Sequence, residues 1–321
     1  MNPRNTSVRV AVMGAGAVGS YFGGMLGRAG VQVTLIGRPA HVEAIRSDGL
    51  FLDTVSFQEH VRVAASTDPA AAHGADFVLF CVKTHNTDEV SRSLAPHMAP
   101  GAIVVSLQNG VDNVVRIGAA SGIEALPAVV YIAVALPEPG HVKHSGRGEL
   151  IVGELPGSRT VRSGQLSRAE RVASLFTGTD VPCRVSADIE SELWVKMIMN
   201  CAGNAVSAIA QTSYGHAVHQ QGAREVMSRA IEETVRVARA SGVQLPAVDF
   251  VQTGLQFIET IGNATSSTAQ DIARGKRTEI DSLNGYIVRR GAELGVPTPV
   301  SLTLHALVKL LEESAAGKVR G

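Results

Sequence analysis

Aromatic side chains are scarce in this chain of 321 residues, Phe, Trp and Tyr together making up 4%. That is too few for the stacking platforms on which single-stranded nucleic acids lie. Neither sign of charge is in excess, Lys+Arg and Asp+Glu both numbering 29, so no nucleic-acid partner and no anionic membrane is expected. Long apolar runs are missing as well. The longest, Ala128 to Leu136, falls far short of the roughly 20 residues that cross a bilayer. Strand-forming sequence begins by Val8, which leaves no room for a signal peptide. Only three cysteines occur, Cys81, Cys183 and Cys201. They lack metal or redox spacing and read as reduced, mostly core residues of a cytoplasmic protein. The ten histidines form no HxxxH or HExxH pair, so no structural metal is expected.

What is present describes a globular chain with a sizeable core: 45% hydrophobic and 18% charged residues. Its length suits two domains of roughly 150 residues each. Val8 to Met13 is a β-branched run followed at once by Gly14-Ala15-Gly16-Ala17-Val18-Gly19. A helix is expected from Gly19 to Ala29, closed by Gly30, and a second strand over Val31 to Ile36. Strand, glycine turn, helix and parallel strand make the βαβ unit that binds dinucleotides. Gly14 permits the turn, Gly16 lets the backbone approach a pyrophosphate, and Gly19 allows close helix–strand packing. The bland alternative is an ordinary glycine-rich turn. The second strand ends in Gly37-Arg38 without an acid. A carboxylate there would hold a ribose hydroxyl, whereas Arg38 can pair with a 2′-phosphate. The expected cofactor is therefore NADP(H), unless Arg38 is merely a solvated surface residue.

Phe51 to Ser66 is read as a hairpin-like excursion. Asp76 to Lys83 and Gly101 to Leu107 are near-continuous apolar runs, as expected of parallel strands covered on both faces. Their polar tails place Lys83 and Asn109 at carboxyl ends of strands, where open α/β sheets bind ligands, although strands also end in polar loops for no other reason. Leu126 to Leu136 and Glu149 to Gly153 add strands, with turn signals at Pro139-Gly140-His141 and Ser145-Gly146-Arg147-Gly148 between them. Arg168 to Phe176 reads as a helix and Val181 to Val185 as a last strand. After Ser186 helical periods take over: Glu190 to Ala210, Gly222 to Ser241, Val248 to Ile261, Ser266 to Arg274, and Glu279 to Leu294 with Thr278 as its N-cap. The expected architecture is an α/β Rossmann-type dinucleotide-binding domain over residues 1–186 and an all-α domain over 187–321. Apolar stripes on the C-terminal helices serve either as core or as the face of a homodimer.

Within the first of these helices, Lys196, Asn200 and Asn204 recur every four residues and line one stripe of an otherwise apolar surface. The stripe is either a solvated face or a pocket wall that grips a small polar ligand, since such groups are costly to bury without partners. Ser267 and Glu279 would lie about 18 Å apart on one unbroken helix, and a break at Gly275 could bring them closer. A cleft between the domains is the expected home of a small-molecule site. In such a site a positioned ammonium could protonate a ketone oxygen after hydride transfer and stabilise its charge beforehand. Lys196 suits that role, with Glu279 as the partner that orients it or holds cofactor hydroxyls.

These motifs in this order resemble the ketopantoate reductase (2-dehydropantoate 2-reductase) family over nearly the whole chain. They are GAGAVG at Gly14–Gly19, CVKT ending at Thr84, LQNGV around Asn109, WVKMIMNCAGN from Trp194, SSTAQDI from Ser266 and RTEIDSLNG around Glu279. The resemblance implies NADPH-dependent reduction of 2-dehydropantoate to pantoate, a step towards pantothenate and coenzyme A. It implies Lys196 as the proton donor, and Asn200, Asn204 and Ser267 as substrate contacts. It places Lys83, Asn109 and Glu279 at the cofactor and the reacting centre. Two positions depart from the family pattern. Tyr214-Gly215 stands where an Asn-Gly pair supplies a further substrate contact, and Ala264, beside Asn263, stands where an asparagine precedes the serine matched by Ser267. Two other functions are thereby kept open: the same chemistry on another 2-keto acid or lactone, and a non-catalytic dinucleotide sensor.

Overall fold

The computed structural model describes residues 8–158 and 165–319, with side chains as far as Ala315. The chain forms two compact units. The first comprises residues up to Gln108 together with Asp112–Ile189, and the second comprises Asn109–Val111 and the chain from Glu190 onward.

The first unit runs β1 (Arg9–Met13), α1 (Ala17–Arg28), β2 (Gln32–Ile36), α2 (Pro39–Asp48), β3 (Leu50–Asp53), β4 (Gln58–Val61), β5 (Ala64–Ser66), β6 (Phe77–Phe80), α3 (Thr87–Leu94), β7 (Ile103–Ser106), α4 (Asn113–Ser121), β8 (Ala125–Ala135), β9 (His141–Val152), α5 (Arg168–Leu175) and β10 (Cys183–Val185). The strands lie in the order β4-β3-β9-β8-β7-β6-β1-β2-β5, with β10 beside β9. From β7 to β5 every pairing is parallel. There β6 and β7 are buried along their whole length and β1 from Val10 onward, as in a parallel sheet covered on both faces. The predicted Phe51–Ser66 hairpin is present as β3 and β4, while β5 leaves it to extend the sheet beside β2. The expectation of a turn at Ser145-Gly146-Arg147-Gly148 is corrected. These residues lie inside β9, where the pairing with β8 shifts register twice and Gly146, Arg147 and Gly148 have φ of 154°, 59° and 134°. Glycine at a bulge gives the same local signal as glycine at a turn; only the partner strand distinguishes them.

The second unit is helical: α6 (Ile189–Ala210), α7 (Tyr214–His219), α8 (Gln221–Ala240), α9 (Phe250–Thr260), α10 (Ser267–Ala273), α11 (Asn284–Leu294) and α12 (Pro299–Val319). By length and composition α6 could span a bilayer, but 67% of its most apolar stretch is buried in the fold. One side packs Ile198, Ala202 and Ala205 against Ile231 of α8 and Ile258 of α9. Another packs Trp194, Met197 and Cys201 against Val237 of α8 and Ile287 of α11. The predicted single helix over Glu279–Leu294 is also corrected. A 3-10 turn over Ile280–Ser282 precedes α11, and Leu283, at φ −109° and ψ −106°, separates them. Thr278 therefore caps no helix: Glu279 is the N-cap of the turn and Leu283 that of α11, and Thr278 Oγ1 accepts the N–H of Ile280 at 3.2 Å.

Candidate functional site

In the first unit the glycine loop is drawn onto the sheet by two hydrogen bonds to the Ile36 carbonyl, from the N–H of Gly14 at 3.0 Å and of Ala15 at 2.9 Å. Gly14 has φ +102°, and a Cβ there would lie 2.7 Å from the Val82 nitrogen. A Cβ on Gly19 would lie 2.4 Å from the Gly14 carbonyl oxygen. Both positions exclude a side chain. Gly16 differs: a Cβ there meets nothing within 4 Å, so its glycine leaves open space beside the backbone. Gly16 is also the N-cap of α1 and brings no side-chain hydrogen bond, so the N–H groups of Ala17, Val18 and Gly19 open the helix uncapped. Open space beside a bare helix N-terminus suits a pyrophosphate. Arg38 follows Gly37 into the N-cap position of α2. It is exposed, and among the described residues its side chain makes no hydrogen bond or ion pair.

Lys83 follows the Cys81–Val82 backbone that presses on Gly14 and is itself the N-cap of a short 3-10 turn. Sequence reasoning missed the group that fixes these strand tails. Gln108, buried at the end of β7, donates to the Val82 carbonyl at 3.0 Å and to Thr87 Oγ1 at 2.8 Å, and accepts from Ser106 Oγ at 2.9 Å. It sits inside the LQNGV motif, and an amide between an apolar strand and Asn109 was the available signal. Burial raises the pKa of the neighbouring Cys81 thiol and keeps it protonated.

In the second unit, Asn109 Nδ2 donates to Glu279 Oε2 at 3.3 Å across 170 positions of sequence. Glu279 is buried, 7% exposed. Its neighbours are held by α12: the N–H and Oγ1 of Thr278 donate to Glu312 Oε1 at 2.7 and 2.5 Å. Asp281 takes hydrogen bonds from His305 Nε2 at 2.8 Å and Lys309 Nζ at 3.2 Å. Of the α6 stripe, Lys196 and Asn200 are partly exposed, whereas Asn204 is buried, 3% exposed. The Asn200 carboxamide has no partner among the described residues. The carboxamide oxygen of Asn204 accepts the phenolic O–H of Tyr214 at 2.7 Å. Ser266, the N-cap of α10, donates to the Asn204 carbonyl at 3.0 Å. The neighbouring Ser267 is exposed on the first turn of that helix. The two departures from the family pattern are neighbours here, the Tyr214 N–H donating to the Ala264 carbonyl at 3.0 Å.

Residues 10–157 match the family described as "Ketopantoate reductase PanE/ApbA" and residues 188–312 its C-terminal counterpart. A 2-dehydropantoate 2-reductase of Halobacterium salinarum is 34% identical over 95% of this chain and 99% of its own. The crystal structure of a PanE/ApbA family ketopantoate reductase from Ralstonia eutropha is 48% identical, with a TM-score of 0.87 over 96% of this chain and 99% of that one. D-Mandelate dehydrogenase, solved with NADH and anilino(oxo)acetate, shares the fold with a TM-score of 0.86 over 96% of this chain and 99% of its own, at 24% identity.

Proposed function

The chain belongs to the ketopantoate reductase family, and from that premise we propose that it reduces 2-dehydropantoate to pantoate with NADPH. Membership makes it an oxidoreductase that uses a nicotinamide dinucleotide. The observation that carries the finer reading is the hydrogen bond between Asn109 and Glu279. It joins two motifs far apart in sequence around one buried carboxylate.

The dinucleotide supplies the hydride. Gly14, Gly16, Ala17, Val18 and Gly19 form its phosphate cradle, with Lys83 beside it. Arg38, exposed and without a partner among the described residues, takes the 2′-phosphate that distinguishes NADPH from NADH. Lys196 gives its proton to the carbonyl oxygen and stabilises the negative charge building there. Glu279, held by Asn109, orients the lysine or a cofactor hydroxyl. Asn200, Asn204 and Ser267 grip the oxygens of the acid without adding charge. A homodimer through the exposed Leu302, Leu307 and Leu310 of α12 completes the reading, and sedimentation tests it.

Steady-state kinetics on a panel of 2-keto acids, each with NADPH and NADH, tests the assignment. Ketopantoate is expected to have the highest kcat/KM. A value far below that of another acid overturns the substrate, and equal affinity for the two dinucleotides overturns NADPH. Tyr214, bound to Asn204, is the observation that favours a different 2-keto acid as the second reading.

A further inference from the structure

We propose that Tyr214 is a positioning residue for substrate recognition, fixing the Asn204 carboxamide so that its nitrogen serves only as a donor to an acceptor oxygen of the 2-keto acid. The inference rests on the reductase reading and concerns how that site selects its substrate.

A carboxamide that rotates freely can present either an acceptor or two donors. Asn204 cannot do so. Its oxygen is taken by the Tyr214 hydroxyl at 2.7 Å, and burial raises the pKa of that phenol, which remains a neutral donor. The other hydroxyl at hand, Ser266 Oγ, lies beside the phenol and partly offsets the rise of its pKa, but its proton goes to the Asn204 backbone carbonyl at 3.0 Å and it accepts the Ala269 N–H at 2.9 Å. The amide nitrogen therefore points away from the ring. No described residue accepts from it, and it is not sealed from solvent. Two N–H bonds at a buried asparagine need an acceptor.

The tyrosine is itself fixed from several directions. Its N–H is bound to Ala264 and that of Gly215 to the Gly262 carbonyl at 2.7 Å. Its ring lies so close to α6 that a Cβ on Gly203 would come within 2.8 Å of Cε1. Tyr214, Gly203 and Ala264 thus form one arrangement whose chemical result is the orientation of Asn204. A carboxylate, ketone or hydroxyl oxygen satisfies the nitrogen, and a group that can only donate, such as an ammonium, is rejected.

The test is Tyr214→Phe, which keeps the ring and removes the proton that holds Asn204. On the 2-keto acid that the parent protein reduces best, KM is expected to rise about five- to tenfold, the worth of one hydrogen bond. With kcat within about twofold of the parent and NADPH affinity unchanged, the effect lies in ground-state binding. In an Asn204→Ala background the same substitution should add nothing to KM, because the group it orients is gone. An unchanged KM in Tyr214→Phe, or additive effects of the two substitutions, overturns the inference and leaves Tyr214 a packing residue. Failure of the reductase reading appears separately, in the parent protein. If ketopantoate is not its substrate, the variants are compared on the acid that is, and a parent inert to every 2-keto acid overturns both.

Discussion

Glu233→Ala should unseat α12. Glu233 lies on α8, is 2% exposed, and its two carboxylate oxygens accept the N–H groups of Val300 and Ser301, both at 2.8 Å. These are among the first N–H groups of α12, which a helix cannot satisfy itself. Without the carboxylate, two amides lose their acceptors at about 1–3 kcal/mol each, and the helix dipole loses a negative partner. Removing a desolvated charge offsets part of that cost, leaving about 3 kcal/mol net. A domain holds roughly 5–15 kcal/mol in all, so the loss is large, and Tm should fall by about 6–12 °C. The only tryptophan, Trp194, packs between α6 and its neighbours in the helical unit, so its fluorescence in urea reports this unit. Glu233→Gln keeps one oxygen as acceptor and should lose about half as much. Activity should fall with α12, since that helix supplies the groups flanking Glu279. A Glu233→Ala protein within about 1 kcal/mol of the parent would refute the reasoning, because those N–H groups would then have another acceptor.

Lys196→Ala is expected to cut kcat by at least about a hundredfold, the low end for losing a general acid, with NADPH affinity unchanged; near-normal turnover would remove Lys196 from the chemistry. Arg38→Ala should narrow the preference for NADPH over NADH about tenfold or more, the loss of a charge-assisted pair, as read by fluorescence titration with each dinucleotide. An unchanged ratio sinks the 2′-phosphate contact. Acid sensitivity should trace to Asp281. Burial alone would raise its carboxyl, but hydrogen bonds from His305, Lys309 and Arg277 more than reverse this and hold it at about 2. With the folded value below the unfolded one, the stabilisation is whole above about pH 4 and lost as pH falls towards 2. Asp281→Asn should flatten the stability profile across that window, and an unaltered acid transition in Trp194 fluorescence would count against it.

What could be read from the sequence was what local signals determine. The strand–glycine–helix–strand order is fixed by periodicity and by the steric needs of Gly14 and Gly19, so β1, α1 and β2 were legible to within a few residues. The polar stripe of α6 was legible for the same reason, because a period of four chooses a helix face. Helices α2, α3 and α4 were not legible: each is short, with only two or three buried residues, and several of those (His41, Thr87, Ser91, Asn113) are polar and do not mark a core face. Ser145-Gly146-Arg147-Gly148 misled because a bulge within β9 and a turn share the same composition. Asn109 reads as the tail of a strand, yet its contacts group it with the helical unit, and nothing in a local pattern encodes an amide meeting a carboxylate 170 positions away.

The same distinction explains Glu279. Good helix-forming sequence and an N-cap threonine argue locally for one helix from Glu279 onward. The chain instead breaks at Leu283, and residues on both sides of Glu279 are claimed by α12: Thr278 by Glu312, Asp281 by His305 and Lys309. Lys309 also bonds Glu312 at 2.7 Å, so the two anchors are joined into one network. The backbone at 278–281 is then fixed on both sides of the glutamate, whose Oε2 accepts from Asn109 at 3.3 Å. A residue that must present a carboxylate in one direction is better held by its neighbours than by its own oxygens, which would otherwise be consumed in holding it. Tertiary anchoring overrides helix propensity here for that reason, and a position where propensity fails in this way is where a site is to be sought.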